Sequence, residues 1–271
     1  ASVRQWSGAR AHAFEATRYG MSKRTTILLL AACSVLMAIP AQAQMLEWTD
    51  RVFISINGAY QNRADTSVSV SATESWYDET ASFAASQTVT SKKGFFDVSG
   101  GVRVFGNLGV GVGFTQISTT GTADTSATVP HPLFYNNARS ASATLTGLEH
   151  KEQQVHIFAM FVVPVTEKFE VAVFGGPTFF TLDQGTIGSF SWSEGSAPYT
   201  SINLTTTATV VNEKKTGLNV GADVTFKIMK NLGVGGFIRY AAATIPVTSG
   251  DTTFDVNVGG VQAGGGVRIR F

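Results

Sequence analysis

Apolar and polar residues alternate at a period of two through most of the chain from Arg51 onward, the signature of strands with one apolar and one polar face. Over Arg51–Gln61, Val52, Ile54, Ile56 and Tyr60 share one face, while Ser55, Asn57 and Gln61 share the other. Phe96–Phe105 sets Phe96, Val98, Val102 and Val104 against Asp97, Ser99, Gly101 and Arg103. Asn107–Gln116 opposes Leu108, Val110, Val112 and Phe114 to Gly109, Gly111, Gly113 and Thr115. The pattern returns in Gln154–Val163, Lys168–Phe180, Gly217–Met229, Leu232–Ala241 and Val256–Phe271, where Val267, Ile269 and Phe271 are in phase. The spacing predicts eight strands, each meeting the about 9–11 residues a tilted strand needs to cross a bilayer.

Connection lengths order these strands. Phe105-Gly106-Asn107, Pro164–Lys168 and Lys230-Asn231 are tight turns, whereas Asn62–Gly94, Ser118–Glu152 and Leu182–Lys215 are long, and Thr244–Asp255 is intermediate. Strict alternation of short turns with long loops, on an even number of strands that can close without a free edge, is the pattern of barrels in a membrane. The expected fold is all-β, an eight-stranded antiparallel up-and-down transmembrane β-barrel. The long loops read as extended hairpins that continue the strands, their Ser, Thr and Ala punctuated by Trp76, Tyr77, Phe134, Tyr135, Trp192 and Tyr199.

Composition agrees with this class. Charged residues make up 14% of the chain, against about 25% in ordinary soluble proteins. From Met21, a Met-Ser-Lys-Arg start, an apolar stretch to Ile39 and Pro40-Ala41-Gln42-Ala43 give the basic, apolar and A-x-A regions of a signal peptide. Three segments are therefore expected: residues 1–20 as upstream sequence foreign to the mature protein, 21–43 as a cleaved signal peptide, and 44–271 as the barrel with its long extracellular loops. Leu30-Ala31-Ala32-Cys33 also fits a lipobox, but the apolar run continues past Cys33. The one cysteine lies in the cleaved part, so disulfides and thiol chemistry are not expected in the mature chain. Residues 1–43 hold five bases and one acid, so the remainder carries 15 bases and 18 acids. A net charge of −3 with no basic stripe argues against nucleic acid as a partner.

The terminal strand, the short–long topology and the repeated Asn-Leu-Gly-Val-Gly turn after Phe105 and Lys230 resemble the small eight-stranded outer-membrane barrels, the OmpA-like and OmpW-like group, over about residues 44–271. The resemblance implies a Gram-negative outer membrane and contact with its lipid and lipopolysaccharide. It also implies recognition of the last strand by the barrel-assembly machinery. Of that family's assembly pattern, Gly266 and Phe271 match, Ile269 is apolar but not aromatic, and Gly264 takes the polar position. No periplasmic peptidoglycan-binding domain is expected after Phe271.

Candidate chemistry lies on the polar face. By phase, Asn57, Asp97, Arg103, His156, Glu170, Asp223, Lys227, Arg239, Gln262, Arg268 and Arg270 point into the lumen, where charges must be paired or hydrated. Asp223 and Arg239, at similar heights on adjacent strands, are the expected central pair. An eight-stranded barrel has an interior just wide enough for side chains to fill, so a satisfied polar plug is the first expectation. The inward glycines 109, 111, 113, 221, 233, 264 and 266 argue the other way, for a wider cavity and passage of small solutes. Catalysis is not expected: of His131, His150 and His156 none stands in a G-x-S-x-G or H-E-x-x-H motif. Gly109-Val-Gly111-Val-Gly113 lies inside a strand with no helix after it, so it is not a phosphate loop. No cofactor or metal is implied. The function expected is a structural or small-solute barrel; the alternative is an adhesin or host-contact protein working through its loops, and a lipid-modifying enzyme is more distant.

Overall fold

In a computed structural model the residues described are the backbone of Arg4–Gln5, then 47–63, 66–89, 92–249 and 252–271. The expected signal peptide 21–43, its cleavage site and all but two of the upstream residues 1–20 lie outside them. Arg4 and Gln5 pair with Trp192 and Ser191.

Ten long strands follow: β1 (Val52–Asn62), β2 (Thr66–Trp76), β3 (Glu79–Val89), β4 (Lys93–Phe105), β5 (Leu108–Val129), β6 (Arg139–Pro164), β7 (Phe169–Glu194), β8 (Ile202–Lys227), β9 (Leu232–Ser249) and β10 (Thr252–Arg270). Eight of them form an antiparallel ring in chain order, from β1 through β4–β10. The ring closes where β10 pairs with β1, from Val261 opposite Asn62 to Arg270 opposite Phe53. Backbone bonds from Arg51 and Val52 to the Phe271 carbonyl, and from the Phe271 amide to the Val52 carbonyl, seal that seam at the short-turn end.

Alternation decides which side of the wall each residue takes. Ile56, Phe96, Val112, Ile157, Val173, Leu218, Ile238 and Val267 are among the exposed side chains of a belt to which every strand of the ring contributes. A continuous exposed apolar band of this extent is tolerable only against lipid. The inner face carries the buried polar set described below.

The strands run much further than the belt. β5 has 22 residues and β6, β7 and β8 have 26 each, roughly twice the length needed to cross a bilayer. The expected long loops are thus mostly hairpin. Between β1 and β4 the chain folds into the β2–β3 hairpin, and β3 pairs with the upper part of β5, Ser82–Thr88 opposite Thr122–Thr128. Above Leu218 and Ala242 the pairing of β8 with β9 stops, and the upper β9–β10 hairpin turns its apolar face inward. Ile245, Val247, Val256 and Val258 pack there on Phe180 and Leu182. Pro246 stands opposite Asp255 of β10 in the stretch of β9 whose other edge is unpaired, an edge position at which a sheet admits proline.

At the outermost end the inner faces of the hairpins meet directly. Phe83, Ala127, Val129 and Ile202 form a second apolar cluster with Trp76, Phe190, Trp192 and Leu204 against it. A bulge at Gly147 serves this packing. Its φ of +75° suits glycine, and the skipped residue shifts the buried positions of β6 from His150 and Glu152 to Arg139.

Candidate functional site

The eleven polar residues expected inside all lie on the inner wall, and their side chains build a plug in three tiers. The lowest tier, at the short-turn end, is largely apolar. Trp48, ahead of β1, is tucked up inside the ring with Phe53, Phe158, Met160 and Val162. Its ring centroid lies 6.2 Å from that of Phe53, which lies 6.4 Å from Phe158. The Trp48 amide donates to Asn107 Oδ1 at 2.9 Å, and Arg103 Nη1 donates to the Trp48 carbonyl at 2.5 Å. Lys227 Nζ bridges Asp50 at 2.9 Å and Glu170 at 2.5 Å. The Arg270 guanidinium stacks 5.4 Å over Phe53, and its Nη2 donates to Thr225.

Glycines make room for this tier. A Cβ on Gly111 would sit 2.7 Å from Phe158, one on Gly221 2.5 Å from Phe174, and one on Gly101 2.6 Å from Phe53. Gly235 likewise admits Arg268, whose Nε would be 2.9 Å away. Of the glycines expected to widen the lumen, Gly109, Gly111 and Gly221 have the rings of Trp48, Phe158 and Phe174 against them, so no wider cavity opens at these three.

The middle tier is polar and almost wholly buried. Asp97 accepts from Asn57 Nδ2 at 3.1 Å, Thr115 Oγ1 at 2.7 Å and Arg239 Nη2 at 2.8 Å. Arg239 Nε donates to Gln262, whose amide donates on to Gln61 and Gln154. Arg268, with none of its side chain exposed, pairs with Asp223 at 2.5 Å and donates to Asn57. His156 Nδ1 lies 2.8 Å from Thr178 Oγ1, which also accepts from Asn219.

The expected Asp223–Arg239 pair does not form. In register Asp223 stands opposite Phe237, whereas Arg239 stands opposite Gly221. Each guanidinium is long enough to leave its neighbours, so Arg239 crosses the lumen to Asp97 and Asp223 is left to Arg268.

The upper tier lies above Val155, the highest exposed apolar residue of the belt on β6. Here Glu152 accepts from Arg63 Nη1 at 2.9 Å, His150 Nε2 at 2.9 Å, Gln154 Nε2 at 3.2 Å and the Gly259 amide at 2.9 Å. His150 Nδ1 meets Gln184 at 2.7 Å. Burial alone would raise the Glu152 carboxyl. The His150 bond, the Arg63 charge and the Gly259 amide together outweigh it and hold the group below the usual carboxylate range. The alternation in Arg51–Gln61 puts Gln61 on the inner face, where it lies, without giving it a role, and Gln154, at the edge of its segment, is not singled out by it. Trp48, Asp50 and Arg63 escaped it because they lie outside the alternating segments.

The closed ring, the apolar belt and the paired inner charges together fix the class. The chain has the fold of a small eight-stranded outer-membrane β-barrel. No protein-family model and no curated protein sequence matches the barrel. Among solved structures it is similar to Neisserial surface protein A, 11% identical with a TM-score of 0.41, over 81% of this chain and 97% of that one. It is also similar to the outer membrane protein OprG of Pseudomonas aeruginosa, 11% identical with a TM-score of 0.46, over 82% and 96%. A third similar structure is Ail, the attachment invasion locus protein of Yersinia pestis, in complex with the heparin analogue sucrose octasulfate. That match is 13% identical with a TM-score of 0.38, over 82% and 99%. These likenesses concern fold alone.

Proposed function

We propose that the chain is a structural barrel of a Gram-negative outer membrane, with a sealed lumen, that works through the hairpins it raises outside the cell. Continuity of the plug is the observation that supports this reading. The Trp48 tier, the Asp97–Arg239–Gln262 network and the Glu152 cluster succeed one another along the axis, and the β9–β10 hairpin packs over them. Paired charges inside a protein are costly to separate, so a solute path through them would have to break several pairs in series. In this reading residues 21–43 export the chain, its last strand is recognised by the assembly machinery, and lipid and lipopolysaccharide surround the belt. No cofactor takes part.

Swelling of liposomes that contain the refolded chain tests it. Swelling in small sugars at the rate of protein-free liposomes is expected. Size-dependent swelling would return the small-solute reading to first place.

A further inference from the structure

We propose that the outer apex of the hairpins docks a basic, arginine- or lysine-bearing protein segment, a surface that deepens the reading just given and rests on it. Tyr77, Leu133, Phe134 and Tyr135 project from neighbouring turns, and Tyr135 is 72% exposed. Large apolar side chains at the tip of a solvated structure are commonly an interaction surface.

These residues are held in place. The Asn136 amide donates to Glu79 Oε1 at 2.6 Å, tying the β5–β6 turn to the β2–β3 turn. The Leu133 amide donates to His131 Nδ1 at 3.1 Å, and His131 Nε2 lies 3.1 Å from the Pro198 carbonyl on the β7–β8 turn. Arg139 is buried beneath them. It pairs with both carboxylate oxygens of Glu194 and donates to the carbonyls of Pro130 at 2.6 Å and Tyr199 at 2.9 Å. A surface fixed before binding loses less freedom when a partner arrives.

The backbone gives a second, independent sign. Among the described residues, the non-glycine positions with positive φ are Tyr77 (54°), Asp78 (60°), Asn136 (57°) and Tyr199 (63°), all in these three turns. A two-residue hairpin with both φ positive favours Asn-Gly, yet β2 and β3 are joined by Tyr77-Asp78. Asp78 and Asn136 take this conformation readily, but at Tyr77 and Tyr199 it is uncommon, and an uncommon backbone kept at an exposed turn points to a use for the side chain it presents.

Charge selects the partner. The described residues of β2–β3, of 120–145 and of 186–206 include the acids Glu74, Asp78, Glu79, Asp124 and Glu194. Their one base is Arg139, already paired with Glu194; Arg4, whose backbone pairs with Trp192, belongs to the upstream segment that the mature chain is expected to lack. Aromatic faces beside unneutralised carboxylates attract guanidinium and ammonium groups, and they repel sulfated polysaccharide and anionic lipid.

The test measures binding of a labelled oligo-arginine peptide to the full chain refolded in nanodiscs, with each variant's fold checked by its heat-modifiable gel shift. Wild type is expected to bind, and Tyr135→Ser and Asp78→Asn should each weaken binding by about tenfold. Glu167→Gln, which removes the same charge at the opposite end, should leave it unchanged. Absence of binding overturns the proposal, as does equal weakening by Glu167→Gln. Tyr135-dependent capture of dextran sulfate or phosphatidylcholine vesicles would overturn it too, by assigning the apex to another partner. A chain that conducts ions undermines the sealed-barrel reading instead, and that is read independently of the peptide.

Discussion

Asp97 illustrates how single residues hold the lumen. Three donors converge on its carboxylate, from Asn57, Thr115 and Arg239. Asp97→Ala leaves the Arg239 charge buried without its partner and should cost about 3–5 kcal/mol. A urea or thermal gel-shift titration measures this, and Asp97→Ala with Arg239→Met should recover much of the loss. An equally unstable double variant would mean that packing, not pairing, carries the site. Gly266 makes a separate point. A Cβ there would fall 1.9 Å from the Ile56 carbonyl oxygen, so the residue has a steric reason to be glycine besides any role in assembly. Gly266→Ala should lower stability by about 1–3 kcal/mol, even when the chain folds into detergent without assembly factors. Unimpaired refolding in detergent would leave recognition as the sole reason.

At the scale of elements, the inner and outer faces of the ring were legible because the polar–apolar contrast at period two is strong in each spanning segment. Pairing across the lumen was not. Phase says that Asp223 and Arg239 face inward, but not that the register sets them beside Phe237 and Gly221. The upper halves of β5–β8 were legible only as extended hairpins without bounds. Their faces contrast weakly, as where Gly121, Ala123 and Thr125 face inward against Thr122, Asp124 and Ser126, and Gly147 inverts the phase of β6 part-way. The β9–β10 hairpin depends on the Glu152 cluster, because Glu152 accepts the amide of Gly259, a glycine with positive φ. Since the folded state holds this carboxyl below its usual range, the stability it contributes is present above the unfolded pKa and is lost as pH falls through the folded one. Wild type should therefore exceed Glu152→Gln in melting temperature at neutral pH, the gap closing below the ordinary carboxylate range. A gap independent of pH would contradict this.

On the scale of the whole molecule, one closed ring carries two different environments along its axis. Within the belt, apolar residues face outward and charges inward; above the Glu152 cluster, apolar side chains turn inward and the outer face is mostly Ser and Thr with scattered charges. The bilayer accounts for the first arrangement and water for the second. The consequence is a lumen stoppered at both ends, by Trp48 below and by Ile245, Val247, Val256 and Val258 above. Planar-bilayer recording of the refolded chain tests this most directly. The account predicts silence at neutral pH from the wild type and from Trp48→Ala alike, because the Asp97–Arg239 network, the Glu152 cluster and the upper hairpin still close the lumen. Stable single-channel steps from the wild-type chain would contradict it.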